Sequence, residues 1–125
     1  MKAYTDLKQS RKLAEILPHN TADNTWERVT IAGSNLNVPE EQQYVHNGNM
    51  PFCYYSGIGV PCWSLAALLE IIPWGQVNRM TNSNKWEASS WTNSNFVPEF
   101  YVEGYDNPVD ACYEMIIKLN KQKLL

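Results

Sequence analysis

The chain has 125 residues, 44% of them hydrophobic and 18% charged, with a formal net charge of −3 at pH 7. That length predicts a single domain over residues 1–125, able to build a core without disulfide or metal staples. The acidic balance argues against nucleic acid as a partner, and no apolar run reaches the roughly 20 residues that cross a membrane.

Thr5 is placed to cap a first helix over about residues 5–17, with Asp6 suited to the helix dipole and Pro18 as the stop. Leu13, Ile16 and Leu17 give it an apolar side opposite Lys8, Arg11, Lys12 and Glu15. Thr25 to Ile31 is β-branched and aromatic and predicts a strand closed by Gly33, with an ambiguous buried face. Tyr44 to His46 and Phe52 to Tyr55 predict two short strands around the turn pair Asn47-Gly48.

Between Pro61 and Pro73 only Ser64 and Glu70 are strongly polar. A helix over about 61–72 is expected there, buried nearly all round, with Pro61 in its first turn. Residues 74–81 read as loop. In the strand-like run that follows, Trp86 and Trp91 have opposite parity, so a bulge, a turn or one solvent-side Trp has to reconcile them. From Glu99 a clearer strand has Phe100 and Val102 inward, Tyr101 and Glu103 outward. The last helix, about 107–121, has Asn107 as N-cap, Pro108 in the first turn, Asp110 at N3, and a stripe of Val109, Cys112, Ile116 and Leu119. The sum is an α+β protein: a short antiparallel sheet of three to five strands packed against three helices.

Cys53, Cys62 and Cys112 lack paired spacing, which predicts reduced, buried thiols and a cytoplasmic location. The first residues, with no apolar signal-like run, agree with that expectation. Cys62 at a helix start would have a lowered thiol pKa, but a nucleophile needs His19 or His46 as its base, and packing is the commoner use of such a cysteine. His46, Cys53 and Cys62 lack the close spacing of metal ligands, and Gly57-Ile-Gly59 leads into Val60-Pro61 rather than a phosphate-binding Lys. Neither Glu40-Glu41 nor Glu103 with Asp106 is marked as a catalytic pair. No catalytic residue, cofactor or metal is therefore expected, and a small hydrolase ranks third among the functions considered.

Five Trp and seven Tyr are more than a small core requires. Trp26, Trp74, Trp86 and Trp91 lie near Asn-rich loops, and together with the outward Tyr101 they are the candidate binding residues. The first expectation is a non-enzymatic interaction or accessory protein that meets a protein partner or a second copy of itself. The alternative is a glycan or small-ligand binding module using exposed Trp and Asn. Half-buried rings at sheet edges would explain the same composition, so exposure decides.

Three segments carry a resemblance: Tyr4-Thr-Asp-Leu-Lys-Gln-Ser-Arg-Lys-Leu-Ala-Glu-Ile-Leu-Pro18, the Pro61–Pro73 stretch, and Asp106-Asn-Pro-Val-Asp-Ala-Cys-Tyr-Glu-Met-Ile-Ile-Lys-Leu119. As a set they resemble a family of small uncharacterised bacterial proteins often associated with phage or other mobile elements. The resemblance implies a mobile-element setting and no particular activity or catalytic residue. Tyr101 to Leu119 is also similar in outline to the close of HicB-like antitoxin domains.

Overall fold

A computed structural model describes residues 2–27, 44–50, 59–91 and 100–125, and within them the α+β architecture consists of three α-helices and two three-stranded antiparallel sheets. Contacts group these elements into two units, Asp6–Trp63 and, together, Met1–Thr5 with Ser64–Leu125.

In the first unit, helix α1 spans Leu7–Ile16. Its cap is Asp6 rather than Thr5. The Asp6 carboxylate accepts from the Gln9 N–H at 2.8 Å, and the Gln9 side chain accepts from the Asp6 N–H at 3.1 Å. A Gln three residues on completes this reciprocal box for Asp6, which moves the start by one residue. Strands β1 (Asn24–Glu27), β2 (Tyr44–Asn47) and β3 (Gly59–Cys62) pair in the order β2-β1-β3, and α1 packs on β3. The expected continuation of β1 through 28–31 and the expected strand at 52–55 lie outside the described residues.

Strand β3 revises the expected central helix. Pro61 pairs with Thr25 at an edge of the described sheet, where a missing N–H is tolerated, and Cys62 is the strand's last residue. Trp63 is buried, and its indole N–H donates to Thr21 Oγ1 at 2.9 Å. The helical part of Pro61–Pro73 begins only after Ser64.

In the second unit, helix α2 spans Leu65–Ile71, and Ser64 Oγ caps it by accepting from the Ala67 N–H at 3.2 Å. It is not apolar all round in space: Ala67 and Leu68 are buried while Ala66 and Glu70 are exposed. Residues 75–79, expected as loop, form β4 (Gly75–Arg79). Only Val77 in that strand is a large aliphatic residue, so hydrophobic alternation was too weak to reveal it; pairing along its whole length with β5 (Trp86–Ser90) holds it in place. Strand β6 (Phe100–Tyr105) completes the order β4-β5-β6.

Helix α3 spans Pro108–Lys121 and begins as expected: Asn107 Oδ1 accepts from the Asp110 N–H at 2.8 Å, and Pro108 needs no N–H partner. Val109, Cys112, Ile116 and Leu119 are all buried, with Met115 beside them, and the helix packs on all three strands and on α2. At about 1.5–3 kcal/mol for each large apolar side chain, this stripe is a major stabilising block of the unit.

Burial pushes the Cys112 thiol up to about 12. The folded chain thus keeps a proton that the unfolded chain loses near pH 9. Its contribution to stability is whole below the unfolded value and is lost as pH rises toward the folded one, at up to about 1.4 kcal/mol per pH unit. Urea unfolding of Cys112→Ala is expected to show a shallower alkaline decline than the parent chain; parallel declines would show that Cys112 does not ionise differently in the two states.

Candidate functional site

The register of the second sheet sorts its side chains onto two faces. Val77, Ala88 and Val102 form one cross-strand row, and Ala88 is buried beneath the packed helix. The neighbouring rows, Asn78–Glu87–Glu103 and Gln76–Ser89–Tyr101, point the other way because strand side chains alternate. On that outward face Gln76, Asn78, Tyr101 and Glu103 are exposed. Trp91 follows β5 with the same parity as Glu87 and Ser89, and its indole N–H donates to Ser89 Oγ at 3.3 Å, which anchors the ring to this face.

Tyr101 is the centre of the polar part. Its hydroxyl donates to Glu87 Oε2 at 2.9 Å across the strands and also to Glu103 Oε2 along its own strand. The hydrogen bond to Glu103, then desolvation, then the bond to Glu87 raise the phenol well above its ordinary ionisation range. Tyr101 is therefore a fixed hydrogen-bond donor at physiological pH and is unsuited to act as a base or nucleophile. Two carboxylates aligned with two aromatic rings suit the binding of a cationic group.

Trp74 lies at the same end of the sheet. Gly75 and Ser90 form the last pair of β4 and β5, so Trp74 and Trp91 leave the ladder side by side in sequence register. The turn before β4 is closed by a Gly75 N–H to Ile72 O bond of 2.9 Å and tied to β5 by Ser90 Oγ donating to Pro73 O at 2.7 Å. A Cβ on Gly75 would lie 2.9 Å from Ile72 Cβ, so glycine is required there. Trp74 itself has φ 49°, a left-handed conformation usually given to Gly or Asn, and it is 80% exposed.

The five candidate binding residues separate accordingly. Trp74, Trp91 and Tyr101 gather at one end of the second sheet. Trp86, half-buried, stands at the opposite end of β5 and has the opposite parity to Trp91. Trp26 belongs to the first unit, half-buried and paired in register with Val45 and Val60. The sequence alone does not mark Glu87, Gln76 or Asn78 as site residues. Polar alternation at 76 and 78 was the available signal, and it became meaningful only once β4 was known to pair with β5.

The first sheet separates Cys62 from His46, one of the two bases that the sequence offers it. Cys62 is wholly buried as the last residue of β3, not in the first turn of a helix. His46 aligns with Thr25 and Pro61, whereas Cys62 aligns with Asn24, one residue out of phase. The two side chains thus lie on opposite faces of the first sheet, and the His46 ring pairs with Glu27 instead. Among the described residues no group of three or more His, Cys, Asp and Glu is arranged to hold a metal ion. No helix among them is long and apolar enough to cross a membrane. Comparison with protein-family models, with curated proteins and with solved structures finds no match to the chain.

Spectrophotometric titration tests the Tyr101 cluster. The alkaline absorbance change contributed by Tyr101, isolated by difference against Tyr101→Phe, is expected to move to lower pH in Glu103→Gln; an unmoved change would show that Glu103 does not hold the phenol proton.

Proposed function

We propose that the protein is a non-enzymatic interaction module, and that a partner protein docks on the outward face of β4-β5-β6 at the end marked by Trp74, Trp91 and Tyr101. The carrying observation is Trp74. A bulky residue in the left-handed region costs about 1–2 kcal/mol relative to a residue at ease there. An indole that remains 80% exposed recovers little of that by packing. A locally unfavourable choice without a structural return is the mark of a position kept for binding, and Trp is among the residues that dominate interface energetics.

Glu87 and Glu103 beside Tyr101 favour a partner that presents lysine or arginine side chains to this face. The buried cysteines Cys62 and Cys112 suit a cytoplasmic setting. In that setting the protein would act as an accessory factor of the kind mobile elements carry, with no role in binding nucleic acid. A glycan is the second reading, favoured by the open indole of Trp74 next to side-chain amides and carboxylates that can hydrogen-bond sugar hydroxyls.

The two roles of Trp74 separate in one variant. Trp74→Gly is expected to stabilise the fold by about 0.5–1 kcal/mol, the relief of the left-handed strain less the added chain entropy of glycine. The same variant should lose a stoichiometric partner that the parent chain captures at low salt. Equal capture by both, or no partner and no self-association of the parent, would overturn the docking surface; a flat Trp-fluorescence response across a glycan panel would remove the second reading.

A further inference from the structure

The other end of the second sheet, on the helix-bearing face, holds a different kind of site. Arg79 and Trp86 stand directly opposite each other as the last pair of β4 and β5. They line a cleft of about 490 Å³ with Lys2, Asn84, Asp106 and Asn107, a volume in the range of small-molecule sites. Three local features shape it. Gly104, at φ 91°, is the unmatched residue where the register slips between Trp86 and Glu87, a bulge that lets Trp86 pair with Tyr105 beyond the regular ladder. Lys2 is brought in by the bridge between Tyr4 and Ser64 and by an ion pair of 2.8 Å with Asp110 in the first turn of α3. Asn107 is fixed by its capping bond.

The charges in the cleft are unevenly matched. Lys2 is paired with Asp110, and Lys85 with Asp106. Arg79 meets no carboxylate among the described residues; its Nε donates to the Ser83 carbonyl at 3.2 Å and its Nη2 to Asn84 Oδ1 at 2.7 Å. Those two bonds to the β4–β5 turn hold the guanidinium plane while leaving the remaining donors of its five-donor fork for an incoming acceptor. Arg79 and Asn84 also line an adjoining hollow of about 390 Å³. An oriented guanidinium with spare donors is a receptor for carboxylate or phosphate, and the indole opposite it offers a stacking surface.

We infer that this cleft binds a small anionic aromatic molecule, its ring against Trp86 and its acidic group on Arg79. The site is separate from the docking face in position, face and charge, and stands whether or not that surface binds a protein. The ring and the acid must be present in one molecule, because each contact alone is weak and partly exposed.

Isothermal titration of the full chain tests this with adenosine 5′-monophosphate and indole-3-acetate as ring-plus-acid probes, and with adenosine and inorganic phosphate as their separated parts. At least one ring-plus-acid probe should bind saturably, which also tells a nucleotide phosphate from an aromatic carboxylate. Adenosine and phosphate should each bind at least about tenfold more weakly. Arg79→Gln, at an exposed position, should keep the parent melting temperature and weaken binding at least about tenfold, with Arg79→Lys restoring little because the planar fork is lost. Trp74→Gly should bind as the parent does. Failure of both ring-plus-acid probes to saturate, equal binding by phosphate or adenosine alone, or unchanged affinity in Arg79→Gln would each overturn the assignment. Trp86→Leu adds a check on stacking, and if it does not fold, Arg79→Gln still decides.

Discussion

The packing of α3 on the β4-β5-β6 sheet is the constraint on which the rest of the second unit depends. Ala88 sits buried at the middle of the central strand, between Val77 and Val102, and its small side chain leaves room for the helix stripe to approach. Once that row faces the helix, alternation fixes every other position. Glu87, Ser89, Trp91 and Tyr101 must face away, and Arg79 and Trp86 must return to the helix side at the far end. A slip of one residue would carry the carboxylates into the core and the aliphatic row into water, so the register is strongly specified.

From that one packing decision come two surfaces of opposite character. The outward face gathers two aromatic rings around two carboxylates that share one phenol proton, with Trp74 held beside them in an unfavourable backbone conformation. The helix-side end gathers a guanidinium without a carboxylate partner among the described residues, an indole and amides. One suits cationic side chains, the other an acidic ring. The Tyr101 phenol on the outward face is held protonated by its neighbours.

Much of the architecture was legible in the sequence where local chemistry and packing agree. The Asn107-Pro108 start of α3 and its Val109, Cys112, Ile116, Leu119 stripe could be read residue by residue, as could the outward placement of Tyr101 and Glu103. Legibility ended where pairing decides. Gly75-Gln-Val-Asn-Arg79 has one large aliphatic residue and becomes a strand only because β5 is beside it. Pro61 and Cys62 look like the head of an apolar helix, yet a strand at the edge of the described sheet accepts the proline and Ser64 supplies the better cap. Apolar character alone does not distinguish a buried strand end from a buried helix start.

The candidate site was visible as composition and invisible as geometry. Five aromatic residues could be named in advance, but their division into a trio at one end, a cleft residue at the other and a separate residue in the first unit follows from register. The Arg79 cleft had no sequence signal, since Arg79 lay in an expected loop. Hydroxyl-radical footprinting read by mass spectrometry tests the two-faced sheet most directly. Trp74 and Tyr101 should be oxidised rapidly in the native protein while Trp63 and Met115 are protected until unfolding; Tyr101 protected as strongly as Met115 would contradict an open outward face.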